Sequence, residues 1–269
     1  MEHKEDATAK RKVAAMVVNI EGKHLPHNEH EPGQSCWMFL SEVFQQADPL
    51  FKNMLFLEGY DSCSNIYIIV GESLTIVDPG YDHTVFESLF QRPEFAPADI
   101  QKIVLTHKPP DRPMGALNLL RYPTVRSNPQ LEFILHVDSP AEIKRVVRQL
   151  GARLTEVKGG EILDLGGFDW KVIATPMHTV DGISIYHAAT KTLISGDMAP
   201  PYSMAAPDKQ AGRRADKYLL GMRSLMEFDI DNVLPRHGLP ISSSGKKVLT
   251  ASRPAVLLKI LDSISEGAH

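Results

Sequence analysis

Several apolar runs in this chain end in a residue that can bind a metal ion or move a proton. Asp78 follows Leu74-Thr75-Ile76-Val77, and His107 follows Ile103-Val104-Leu105-Thr106. His178 follows Val172-Ile173-Ala174-Thr175-Pro176, Asp197 follows Leu193-Ile194-Ser195-Gly196, and His237 follows Val233-Leu234-Pro235-Arg236. A strand end is a rigid mount, and loops leaving one edge of a sheet sandwich can converge there. Imidazole nitrogens and carboxylate oxygens gathered at such an edge are ligands for a first-row divalent ion. Other histidines read as ordinary. His24, His27 and His30 are irregularly spaced for one helix face, and Pro26 interrupts them, so they read as solvated loop residues. His83, His136 and His187 fall inside helix or strand patterns, and Cys63 reads as a buried, inert thiol.

The elements that must position these residues are mixed. Short β-rich runs cover Met54 to Leu57, Asn65 to Val70 and Ser73 to Val77, the last two split by Gly71-Glu72 as a hairpin. Strands are also expected at Ile103 to Leu105, Phe133 to His136, Glu161 to Leu165, Trp170 to Ala174, Ile183 to His187, Thr192 to Ile194 and Asn232 to Leu234. Helical spacing runs over Cys36 to Gln46, His83 to Phe90, Gly115 to Leu120, Lys217 to Phe228 and Pro254 to Ser265. A further helix is expected up to Leu150, with Ser139 as N-cap and Pro140 at its first position. Hairpins mixed with crossover helices in both halves give an α/β fold of two sheets flanked by helices. Residues 1–35 read as an N-terminal extension, and 36–269 as one domain.

Composition narrows the function classes. Apolar residues make up 43% of the 269 and charged residues 23%, which excludes collagen-like, coiled-coil and wholly disordered chains. Lys plus Arg is 29 against Asp plus Glu 33, a net charge of -4, so no chain-wide attraction to nucleic acid is expected. The 2 cysteines cannot build a disulfide framework. No apolar run reaches membrane-spanning length and the N-terminus lacks a secretory pattern, so a cytoplasmic protein is expected.

The segments resemble those of the metallo-β-lactamase-fold hydrolases, in the family's order from about Ser64 to His237. Ser64 to Ile69 and Thr75-Ile76-Val77-Asp78-Pro79-Gly80 are similar to its opening hairpin and Asp-x-Gly turn. The stretch Thr106 to Gly115 lies over its T-H-x-H-x-D-H-x-G-G signature. Thr175-Pro176-Met177-His178-Thr179 resembles its T-P-G-H-T, Thr192 to Asp197 its T-L-I-S-G-D, and Leu234-Pro235-Arg236-His237-Gly238 its P-G-H-G. The resemblance implies a four-layer αββα sandwich with the motif residues at one edge.

It also implies a reduced metal site. Carried over by position, His107, Asp111, His178, Asp197 and His237 are present, but Pro109 and Arg112 stand where the family has histidines. His107, His178, Asp197 and His237 are then the metal residues, and one divalent ion is expected, Zn(II) or Fe(II), with Mn(II) also suited. Asp111 is left to act as general base, or to pair with Arg112. The expected activity is hydrolysis of a small ester, thioester, lactone or phosphoester, and Arg112 would favour an anionic substrate. Two alternatives stay open: a pseudoenzyme binding a ligand or protein partner in the cleft, and an iron-dependent oxidoreductase. The flavodiiron branch is disfavoured because 32 residues follow His237, and the nucleic-acid-processing branch because Asp197 and His237 are 40 residues apart. No membrane partner is expected, and self-association into a homo-oligomer is left open.

Overall fold

A computed structural model describes residues 37–59, 63–80, 84–107, 114–120, 122–176, 179–198 and 215–250. The His24, His27 and His30 segment, Asp111, Arg112, His178 and the expected helix over Pro254 to Ser265 lie outside the described residues.

Two sheets form the centre. The first runs, in chain and spatial order, β1 (Met38–Phe39), β2 (Met54–Leu57), β3 (Ile66–Val70), β4 (Leu74–Val77), β5 (Ile100–Val104), β6 (Glu132–His136) and β7 (Arg153–Val157). The second contains β8 (Ile162–Leu165), β9 (Phe168–Ala174), β10 (Ile183–His187), β11 (Thr192–Gly196) and β12 (Asn232–Pro235), in spatial order β12-β11-β10-β9-β8. Helices α1 (Leu40–Phe44), α2 (Pro49–Lys52), α3 (Val85–Phe90), α4 (Met114–Leu119), α5 (Pro123–Arg126), α6 (Ala141–Gln149) and α7 (Ala215–Met226) connect the strands.

The strand patterns explain the layering. β2, β4 and β11 are buried along their whole length, as strands covered on both faces must be. Phe56, Tyr67 and Val104 of the first sheet pack against Trp170, Ile185 and Leu234 of the second, so the two sheets face one another. On the outer face of the first sheet, Phe86 of α3, Leu119 of α4 and Ile143 of α6 complete a second core. Met222 and Leu225 of α7 do the same outside the second sheet, with Leu193 and Val233. The result is helix, sheet, sheet, helix, the four layers expected.

Both halves follow one plan. An antiparallel hairpin leads into a parallel pair joined by a helical crossover. β3 pairs antiparallel with β4, which pairs parallel with β5 across α3. β10 pairs antiparallel with β11, which pairs parallel with β12 across α7. The hairpin between β3 and β4 turns at Gly71, where a Cβ would lie 2.4 Å from the carbonyl oxygen of Gly166. That approach excludes any side chain.

Three expectations need correction. Ser139 does not cap α6: Pro140 is the N-cap, and the Ser139 hydroxyl instead donates to Asp181 at 2.9 Å, both side chains being buried. The expected helix over Cys36 to Gln46 begins with β1 and only then turns helical at Leu40. Strand β7 is absent from the sequence reading. It is an edge strand whose Arg153 and Glu156 are exposed, so its charges hide its periodicity. Among the described residues, no helix is long and apolar enough to cross a membrane.

His187 ends β10 in a buried aromatic niche, with Trp170 and Phe168 beside its ring and Thr190 Oγ1 2.8 Å from Nδ1. Burial pushes its pKa below the ordinary 6.5, and the distant carboxylates of Asp48 and Asp169 offset this only in part. The unfolded chain therefore takes up a proton here before the folded protein does. The stability this gives is full above about pH 6.5 and is lost as pH falls through the folded value. Urea midpoints between about pH 7.5 and pH 5 should fall less steeply for His187→Phe than for the native chain.

Candidate functional site

Four loops leave the same edge of the sandwich. Asp78 follows β4, Thr106 and His107 follow β5, Asp197 follows β11, and Arg236 and His237 follow β12. The two sheets are stitched together at this edge, where the Ile183 amide donates to the Thr106 carbonyl at 2.7 Å. Gly196, at φ 54°, lets the end of β11 press against Thr106, since a Cβ there would lie 3.0 Å from Thr106 Oγ1.

His107 is held from behind. Asp78 adopts a left-handed backbone, φ 50°, which Asp tolerates better than most residues. Its carboxylate accepts the Thr106 amide at 2.9 Å and the Thr106 hydroxyl at 2.6 Å. That hydroxyl has given its only proton to Asp78, so its oxygen can only accept from His107 Nδ1, 3.3 Å away. This arrangement favours the tautomer with hydrogen on Nδ1 and a lone pair on Nε2. Asp78 is thus a positioning residue, two steps behind the site.

The lone pair faces Asp197. His107 Nε2 lies 3.2 Å from Asp197 Oδ2, and His237 Nε2 lies 3.9 Å from Asp197 Oδ1. One carboxylate thus turns an oxygen to each imidazole. Burial pushes the His237 pKa down, Asp197 pulls it up in part, and Arg236 lowers it again. The imidazole is therefore neutral at pH 7, the form that binds a metal.

Two acceptors 3.2 Å apart repel one another unless a positive charge lies beside them. Arg236 supplies one. Its Nη1 lies 3.0 Å from His107 Nδ1, within hydrogen-bond reach of Nε2, and 3.7 Å from Asp197 Oδ2. The side chain is only 11% exposed, and its Nε is buried with no hydrogen-bond partner among the described residues.

The loop carrying Arg236 and His237 is pinned from β3. Asn65 Nδ2 donates to the carbonyls of Pro235 at 2.9 Å and Gly238 at 2.6 Å, and the Asn65 amide donates to the Arg236 carbonyl at 2.6 Å. Tyr67 Oη donates to the same Pro235 carbonyl at 2.6 Å. Burial pushes the Tyr67 pKa far up, so its phenol stays a donor.

The structure thus brings together His107, Asp197 and His237 of the expected set, while His178 and Asp111 lie outside the described residues. The sequence reading gave Arg112, which lies outside the described residues, as the cation of the cleft and did not single out Arg236. The signal was there: Arg236 stands at the first glycine of the P-G-H-G segment. Asn65 and Tyr67 carried no signal, since only the fold brings them to Pro235.

A family model described as the metallo-beta-lactamase superfamily matches residues 61–238. The chain belongs to this superfamily. A relative from Methanocaldococcus jannaschii named a probable metallo-hydrolase is 28% identical over 198 residues, covering 69% of this chain and 92% of the relative. A metallo-beta-lactamase family protein from Thermus thermophilus superposes with a TM-score of 0.58 at 16% identity, covering 76% of this chain and 79% of that one. A point mutant of a flavo di-iron protein from Thermotoga maritima superposes with a TM-score of 0.54 at 18% identity, covering 73% of this chain and 58% of that one. At such identities the likeness speaks to the fold.

The superfamily implies metal ions, and the donors here fit one in type and spacing. Two ligands each about 2.1 Å from one ion at a tetrahedral angle lie roughly 3.4 Å apart, close to the His107–Asp197 separation. Among the described residues no set of three His, Cys, Asp or Glu side chains closes around a single point. A complete set needs a ligand from outside them, and His178 is the residue the family pattern offers.

Proposed function

We propose that the chain is a metal-dependent hydrolase of a small ester, thioester, lactone or phosphoester, working through a one-ion site. The observation that supports this most is the pair of lone-pair atoms, His107 Nε2 and Asp197 Oδ2, facing each other at 3.2 Å. His107, His178 and Asp197 would hold the ion, with His237 at the other carboxylate oxygen. Zn(II), Fe(II) or Mn(II) suits two imidazoles and a carboxylate, and such an ion acidifies water and polarises a carbonyl or phosphoryl group. The rest falls to the protein. Thr106 and Asp78 keep the His107 lone pair aimed at the cleft. Asp197 keeps both oxygens engaged, and Asp111 is the general base of this reading, taking the proton from the attacking water on its carboxylate.

A second reading, an anion-binding protein without catalysis, is favoured by the Arg236 guanidinium standing in the cleft. One experiment separates the two. Protein purified without chelator or affinity metal should contain close to one equivalent of metal by plasma mass spectrometry. It should turn over at least one member of a panel of esters, thioesters, lactones and phosphodiesters. His178→Ala should lose the metal and cut turnover by about 100-fold or more. Turnover that survives this substitution unchanged would sink the metal reading. Neither metal nor turnover would favour the binding protein.

A further inference from the structure

We propose that Arg236 competes with the metal ion for its site, so that metal binds only when the guanidinium swings away. The inference rests on the one-ion reading above and concerns how that site is filled. Arg236 Nη1 reaches both nitrogens of His107 and lies 3.7 Å from Asp197 Oδ2. A metal ion would need the same His107 lone pair and the same carboxylate oxygen. Two cations cannot share this space, because Nη1 crowds the His107 ring beside Nε2 and like charges a few ångströms apart repel.

The geometry also makes the arginine displaceable. Its backbone is anchored, with the Arg236 amide donating to the Gly196 carbonyl at 3.2 Å and its carbonyl accepting from Asn65. Its side chain is less well served: the buried Nε finds no partner among the described residues. The main chain can thus hold His237 in place whether the guanidinium lies against His107 and Asp197 or outside. Arg236 therefore offsets the repulsion of the two acceptors and sets a threshold of metal concentration for loading.

Competition of this kind lowers apparent affinity by the fraction of time the site is open. If Arg236 occupies the site roughly 90–99% of the time, removing it tightens zinc binding about 10- to 100-fold. The test is a zinc titration of the full chain against a fluorescent chelator, with melting curves recorded with and without zinc. Arg236→Met removes the charge and the donors while keeping bulk, and Arg236→Gly restores the family's residue. Both should bind zinc at least about tenfold more tightly than the native chain. Both should also melt at a lower temperature without zinc and gain more on adding it. Should Arg236→Gly fail to fold, Arg236→Met decides. Equal zinc affinity in the native chain and Arg236→Met overturns the proposal, as does zinc binding by neither.

The substrate panel keeps the two readings apart. Tighter zinc in Arg236→Met, with no turnover by any form, upholds the competition and defeats the hydrolase. Equal zinc affinity, with turnover that His178→Ala abolishes, does the reverse.

Discussion

Replacing Asp197 by Ala should abolish metal content and lower turnover by about 1,000-fold, the scale of losing several kcal/mol of transition-state stabilisation. Three described side chains meet Asp197 at the site. Its Oδ2 faces His107, its Oδ1 faces His237, and Arg236 lies against it. Stability should fall as well. Removing one member of a buried ion pair costs roughly 3–5 kcal/mol. Asp197 is 16% exposed and Arg236 11%, so water recovers part of this, and about 2 kcal/mol is expected. Asp197→Asn keeps the shape but loses the charge. It breaks the same ion pair with Arg236, so it should also melt below the native temperature, and it should still fail to hold metal. An Asp197→Ala protein with native metal content would show that the ion lies elsewhere.

Asn65→Ala should be the most damaging change among the residues that never touch the ion. The Asn65 side chain is fully buried and makes three close bonds: from the Gly59 amide at 2.9 Å, and to the carbonyls of Pro235 and Gly238. Alanine leaves these backbone groups short of a partner, at about 1–3 kcal/mol for each group left buried and unsatisfied. Tyr67 still serves Pro235, so a net loss of about 3 kcal/mol is expected, or a fall in melting temperature of roughly 6–12 °C. Metal affinity should fall about 10-fold, because His237 hangs from the pinned stretch. Tyr67→Phe removes one bond to a carbonyl that Asn65 also serves, and about 1 kcal/mol should be lost. If Asn65→Ala melts no lower than Tyr67→Phe, then Asn65 is not the pin.

Much of this protein is written locally. The apolar runs before Asp78, His107, Asp197 and His237 are strands because β-branched and aliphatic residues suit a sheet buried on both faces, and each polar residue comes just past a strand end. Their order along the chain was enough for the family, the two sheets and the edge where His107, Asp197 and His237 meet. Where periodicity is masked, local reading fails. Arg153 and Glu156 make β7 look like a loop until β6 pairs with it, and Ser139 looks like a cap until Asp181 arrives from a distant turn. That Arg236 comes to lie beside His107 and Asp197 was beyond local reading altogether. Arg236 and His107 lie 129 positions apart, and Asn65 and Pro235 170 apart. A contact across such a span depends on sheet order and crossover, which no window of neighbouring residues encodes. Residue types named the chemistry available to this edge, and only the packing of the two sheets put Arg236 beside His107 and Asp197.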